Sequence, residues 1–273
     1  RERLLKETLL NVAIQVETNG DQDSMVVKGR GEFQLAILIE TMRREGFEFC
    51  VGRPEVILKQ EDGIVKEPIE RLFIDCGEAF MGVVTEKLSV RKGKMMNLSN
   101  TGTGRVRIEF SIPSRALIGY RDEFLTDTRG TGIMNSYFLG YEPYRGDFPS
   151  RFTGSIVSDR RGHAVPYALY NLEPRGRLLI LPGEPVYEGM VVGEHNRETD
   201  ISVNPTKEKK LTNMRASGKD ENVILAPIRP MTLEQAINFI RDDERVEITP
   251  KSIRLRKVTL GLKARYAQRG AKK

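Results

Sequence analysis

Arg105-Val106-Arg107-Ile108-Glu109-Phe110-Ser111-Ile112 alternates without a break. Val106, Ile108, Phe110 and Ile112 fall on one side of an extended chain and Arg105, Arg107, Glu109 and Ser111 on the other, the pattern of a strand with one buried face. Just upstream, Thr101-Gly102-Thr103-Gly104 reads as a hairpin turn. Just downstream, Ser114 is placed to cap a helix reaching Leu125. Further out, Glu70 to Cys76 is a strand, and Glu78 to Val90 is a helix with Phe80, Val83, Val84 and Leu88 on one face, ending before Gly93. Gly132 to Tyr141 closes the set. The order is β-α-β-β-α-β, two linked βαβ units in the split, ferredoxin-like arrangement, spanning 66–148.

The segment before it, 1–65, repeats part of that order. Arg1 to Asn11 is a charged amphipathic helix, Val12 to Glu17 and Met25 to Lys28 are β-rich, and Asn19-Gly20-Asp21 turns between them. Leu35, Leu38, Ile39 and Met42 follow at helical spacing between Gly31 and Gly46, and Phe47 to Leu58 supplies another strand. Two helices on one face of a small antiparallel sheet is the economical packing, so a second ferredoxin-like α/β sandwich is expected. From 149 the pattern changes to dense Pro and Gly with short β-rich runs, Val186 to Val192 and Val223 to Ala226. That reads as a third, α+β domain over 149–273. Its clearest helix is Thr232 to Ile240, where Thr232 and Gln235 form a capping box because hydroxyl and amide each satisfy a free backbone donor. The fold class expected for the whole chain is α+β.

Composition excludes several functions. With 39% hydrophobic and 30% charged residues and no apolar run near membrane-spanning length, neither disorder nor a membrane-crossing helix is expected. The chain opens on Arg1 without Met or an apolar leader, as expected of a piece of a longer protein. Cys50 and Cys76 make no C-x-x-C pair and no disulfide framework, which fits the cytoplasm. Both lie in strand-like text and are expected to be buried thiols.

No G-x-x-x-x-G-K-[ST] loop occurs, so nothing in the chain cradles nucleotide phosphates. Asp127-Thr128-Arg129-Gly130 spells D-x-x-G at a helix end, and Gly29-Arg30-Gly31 stops short of a dinucleotide fingerprint at Gln34. His163 and His195 have no second ligand at metal spacing, and Asp21-Gln22-Asp23 fails as a calcium loop at Met25 and Val26. Asp242-Asp243-Glu244 reads as a solvated turn. No catalytic residue, metal ligand or cofactor-binding residue is assigned, and the chain is expected not to be an enzyme by itself.

Basic residues remain. Net charge is −3 over 1–65, +1 over 66–148 and −1 over 149–247, whereas 248–273 carries nine Lys and Arg and no acid. Such asymmetry points to a polyanion. Over 206–219, Lys207, Lys209, Lys210, Arg215 and Lys219 stand against Glu208 alone, with Asn213 and Ser217 among them. A loop of this kind can follow a phosphate backbone while its small polar residues reach bases or ribose hydroxyls. In 252–258 the alternation puts Ser252, Arg254 and Arg256 on one face, with Lys257 next in line. The RNA-binding set expected is Lys207, Lys209, Lys210, Asn213, Arg215, Ser217, Lys219, Arg254, Arg256 and Lys257. The alternative is a ferredoxin-like regulatory protein binding a small molecule at a sheet edge.

Three separated motifs carry a family resemblance over essentially the whole chain. Val27-Lys28-Gly29-Arg30-Gly31-Glu32 with Ile37 to Phe47 resembles the third domain of translational GTPases related to elongation factor G, with Phe33-Gln34 departing from the family's Leu-His. Ile112-Pro113-Ser114-Arg115-Ala116-Leu117-Ile118-Gly119-Tyr120 resembles their fifth domain in its BipA/TypA form. Lys210 to Gly218, with Met231 to Ala236, resembles the C-terminal domain peculiar to that family. The resemblance implies a GTP-hydrolysing domain using GTP and Mg2+ before Arg1, binding as a monomer between ribosomal subunits near the A site, and roles in large-subunit assembly and in stress or cold adaptation. It further implies that Lys207 through Lys219 reach rRNA and the acceptor end of A-site tRNA.

Overall fold

The computed structural model describes residues 1–18, 24–100, 102–148, 151, 153–209, 224–228 and 230–271. It is a mixed α+β protein that divides into two compact units, one of residues 1–52, 155–196 and 200–273, the other of 53–154 with 197–199.

Residues 1–52 run α1 (Glu2–Leu10), β1 (Gln15–Thr18), β2 (Met25–Lys28), α2 (Glu32–Arg44) and β3 (Phe49–Val51), in the order the periodicity implies. β1 and β2 pair antiparallel, and the turn expected at Asn19 to Asp21 lies outside the described residues. Ile14, Leu38 and Met42 form a small core with Leu4, Val16, Val27 and Phe49 against it. The strand expected over Phe47 to Leu58 is only three residues long, because beyond Val51 the chain has no partner strand until β4 (Lys59–Glu61). Cys50 is exposed, which corrects the buried thiol expected there. Phe49 and Val51 take the core side of β3, so strand alternation turns Cys50 outward.

In the second unit, β5 (Ile64–Gly77) is followed by one 3-10 turn and α3 (Met81–Val90), β6 (Lys94–Asn100), β7 (Arg105–Pro113), α4 (Ser114–Leu117), α5 (Tyr120–Asp127) and β8 (Ile133–Pro143). β8, β5, β7 and β6 lie side by side, all antiparallel, and β4 extends β5 as a hairpin. Alternation in β7 holds: Val106, Ile108, Phe110 and Ile112 pack with Leu72, Ile74, Cys76, Val84, Leu88, Tyr120 and Phe124 in one core. The single helix expected from Ser114 to Leu125 is instead two, and Ser114 makes no cap. Gly119 at φ 72° breaks it, a left-handed conformation that glycine adopts without the penalty other residues meet.

The third stretch adds β9 (Ser155–Ser158), β10 (Gly162–His163), α6 (Pro166–Leu172), β11 (Gly176–Leu178), β12 (Pro185–Val186), β13 (Met190–His195), β14 (Ile201–Val203), α7 (Leu233–Phe239), β15 (Glu244–Ile248), β16 (Ile253–Lys257) and α8 (Leu262–Ala271). The main sheet runs β14-β9-β13-β16-β15-β3, with β11 also on β13. One core, including Leu169, Ile156, Met190 and Val192, lies under α6; another joins Val157, Val191, Val246, Ile248 and Leu255 to Leu233, Ala236 and Ile237 of α7. The capping box forms as the residues require: Thr232 Oγ1 accepts from Gln235 N at 3.3 Å and Gln235 Oε1 from Thr232 N at 3.2 Å. No strand forms over 224–226, and residue 223 lies outside the described residues.

Among the described glycines of the main sheet, Gly176 has the least room for a side chain. A Cβ there would lie 1.9 Å from the Glu194 carbonyl oxygen of β13. Gly176→Ala is therefore expected to pry β11 from β13 and lower stability by about 1–3 kcal/mol or more, the range for overpacking. Chemical denaturation measures this; an unchanged midpoint would show that the two strands are not held so closely.

Candidate nucleic-acid interface

The alternation of β16 sends Leu255 and Lys257 into the protein and leaves Arg254 and Arg256 on the other side. In β15 the buried residues are Glu244, Val246 and Ile248, and Arg245 and Glu247 take the opposite side. The antiparallel register sets Arg245 opposite Arg256 and Glu247 opposite Arg254, with Cys50 of β3 opposite Glu247. Across β15 and β16 this face thus carries three guanidiniums and one carboxylate, all half-buried. Arg254 Nη1 stands 3.6 Å from Glu247. Tyr187 donates its hydroxyl to the same carboxylate at 2.5 Å. Burial and that hydrogen bond push the Tyr187 phenol well above its ordinary pKa, against an opposing pull from Arg256 and Arg254.

Lys257 is corrected. It is 2% exposed, and its ammonium sits 2.8 Å from Asp200, 2.9 Å from Asp243 and 2.9 Å from Glu244. An ammonium already neutralised inside the protein has no charge to offer a phosphate, so Lys257 leaves the candidate RNA-binding set. The acidic run is corrected with it. Asp242 and Asp243 are exposed as a solvated turn would have them, but Glu244 is fully buried, accepting also from Ser155 Oγ and the Arg241 amide.

β14 leads directly into the basic loop. At its root Asn204 Oδ1 accepts from the amide and hydroxyl of Thr206 at 2.9 and 2.8 Å, and Pro205 is buried with its carbonyl bonded to Val165. Lys207 and Lys209 are exposed just beyond. Lys210, Asn213, Arg215, Ser217 and Lys219 lie outside the described residues. The basic terminus is not a plain tail: after β16, α8 begins where the Leu262 amide donates to Glu188 at 2.6 Å, and it exposes Lys263 and Tyr266. Arg91, at the end of α3, pairs with Glu123 at 2.7 Å.

Arg245 is the residue the sequence pattern hides. It stands among Asp242, Asp243, Glu244 and Glu247, and only the β15–β16 register brings it beside Arg256. Its parity within the alternating run Glu244 to Ile248 is the one local signal for its facing outward.

Residues 64–152 match the family described as elongation factor G C-terminus, and 153–261 match the TypA/BipA C-terminal domain. An elongation factor G C-terminus continued directly by that second domain defines a chain built from one elongation factor G-related domain and one TypA/BipA-specific domain. The chain belongs to the TypA/BipA family. It is 50% identical over 257 residues to the large ribosomal subunit assembly factor BipA of Escherichia coli strain K12, covering 94% of this chain and 42% of the relative. To the Haemophilus influenzae protein of the same name it is 48% identical over 260 residues, 95% of this chain and 42% of that one. The chain thus spans about two fifths of the length of these curated relatives.

Proposed function

We propose that this chain is the ribosome-binding part of a TypA/BipA translational GTPase and takes part in assembling the large ribosomal subunit and in stress- or cold-adapted translation. Lys207, Lys209, Lys210, Asn213, Arg215, Ser217 and Lys219 contact rRNA and the acceptor end of A-site tRNA, and Arg254 and Arg256 contact rRNA. The observation that carries this is the placement of basic side chains: Lys207 and Lys209 stand exposed on a pinned loop root, and Arg254 and Arg256 share the outer face of β15 and β16 with Arg245 and Glu247. The relatives named for large-subunit assembly add support. The protein works in the cytoplasm as a monomer and meets no membrane. GTP and Mg2+ would be held by residues outside this sequence, since it contains no phosphate-binding loop.

A small-molecule site is less favoured. The cavity of about 330 Å³ beside β11 is lined by Glu173, Gly176, Arg177, Leu178, Ala226, Pro227 and Ile228. Glu173 already accepts from the Ala226 amide at 2.7 Å, leaving few convergent polar groups to orient a ligand.

The test is cosedimentation with large ribosomal subunits over a salt series. Removing one phosphate-binding cation should flatten the log–log dependence of affinity on salt by about 1, so Arg215→Ala with Lys219→Ala should reduce the slope by about 2. Binding indifferent to salt and to both substitutions would end this reading.

A further inference from the structure

We propose that Arg245, Arg254 and Arg256 together form a phosphate-binding face on the outer side of β15 and β16, shaped for the phosphodiester backbone of folded RNA. The proposal rests on the ribosome-binding reading and adds to it a residue, a surface and a ligand chemistry.

The starting point is a feature unfavourable to the free fold. Arg245 and Arg256 are direct cross-strand partners on the same face, and like charges directly opposite each other destabilise an antiparallel pair. The next pair on that face, Glu247 with Arg254, is of opposite sign. Glu247 is 3.6 Å from Arg254 and also bound by Tyr187, so one shared carboxylate faces three guanidiniums. Among the described residues, neither Arg245 nor Arg256 has a carboxylate within ion-pair distance. What each holds is backbone: Arg245 Nη1 donates to the Asp242 and Glu244 carbonyls at 2.9 and 2.7 Å, and Arg256 Nε to the Lys257 carbonyl at 3.3 Å.

Those bonds orient the guanidiniums without neutralising them. They also leave nitrogens of each fork for an outside acceptor. All three side chains are half-buried, so their charge is screened less than on a fully solvated surface. Arg254 and Arg256 are two residues apart, roughly 7 Å along the strand, with Arg245 about 5 Å across from Arg256. A rigid array of planar forks at that pitch suits consecutive phosphates of one strand, which arginine binds bidentately. The hydroxyl that borders the face, on Tyr187, is committed to Glu247, so the contact is to backbone and independent of base sequence.

The experiment compares the unmodified chain with Arg245→Gln, Arg245→Lys and the Arg215→Ala/Lys219→Ala pair, using purified large ribosomal subunits and, separately, a short A-form RNA duplex. Arg245→Gln should weaken binding to both by about tenfold, at the lower end for a charged hydrogen bond, and lower the salt slope by about 1. The same substitution should raise the thermal midpoint of the free protein at low salt, since it removes the repulsion. Arg245→Lys should keep the slope. If the loop pair weakens salt-dependent binding but Arg245→Gln leaves affinity and slope unchanged, this proposal is overturned and ribosome binding stands. A lower midpoint for Arg245→Gln would likewise overturn it, by showing Arg245 to be a structural residue. If no variant changes binding and the unmodified chain ignores salt, the ribosome-binding reading itself fails.

Discussion

Lys257→Met should cost the protein about 3–5 kcal/mol of unfolding free energy, the range for removing one member of a buried ion pair. Methionine matches the stem of the lysine and fills its space, so the loss isolates the charge. Asp200 and Glu244 would stay behind with side chains 8% and 1% exposed and without the ammonium that joins them, Asp200 keeping Arg241 at 3.7 Å, whereas Asp243, at 59%, could return to water. The first two cannot. A second substitution, Glu244→Gln, should recover part of the loss when combined with Lys257→Met while being destabilising alone, because in the parent it removes a partner from Lys257. Urea denaturation of the four proteins gives the coupling directly. A change below about 1 kcal/mol for Lys257→Met, the scale of an exposed pair, would mean that water reaches this cluster.

The sign of its pH dependence follows. Burial lowers the Lys257 pKa, but Glu244 and Asp200 outweigh it and hold the value above that of ordinary lysine. A folded-state pKa raised above the unfolded one gives stability that is complete below the unfolded value, about 10.4, and lost as pH rises through the folded value. The contribution is therefore flat across neutral pH and disappears only in strong alkali.

Arg115→Ala should be of similar severity in the other unit. Glu67 is fully buried in β5, and Arg115 of α4 binds it through Nε at 2.5 Å, while the Arg145 amide donates to its other oxygen at 2.7 Å. The same guanidinium donates to the Gly146 carbonyl at 2.6 Å and lies over the rings of Tyr144 and Phe148, 4.4 and 4.6 Å from their centroids. One side chain thus ties the return stretch after β8 to the start of β5. Its removal leaves a buried carboxylate paired with an amide alone, at about 3–5 kcal/mol, and also takes away the cation over the two rings. Arg115→Lys should recover less than half, since an ammonium cannot bind a carboxylate, a carbonyl and two ring faces from one planar group. Full stability of the Ala variant would show that water reaches Glu67 in the folded protein.

Much of this architecture is legible in short stretches. The alternation of Val106 to Ile112, the helical spacing of Leu35 to Met42 and the Thr232–Gln235 box each involve residues within about two turns of one another, and each forms as written. Even the parity of Lys257 can be read locally, because Ile253, Leu255 and Lys257 share one side of β16. What no local stretch contains is the identity of its partners. Asp200 is 57 positions away, and Asp243 and Glu244 read as a turn.

Local periodicity and capping chemistry by themselves determined the α+β class and the β-α-β-β-α-β order, and composition alone determined the concentration of positive charge toward the end of the chain. Only the tertiary structure decided which basic residues stay outside: it drew Lys257 into a cage of carboxylates and set Arg245 opposite Arg256. The physical reason is that periodicity depends on neighbours along the chain, whereas strand register and buried ion pairs depend on how distant segments are brought together by the packing of the whole core.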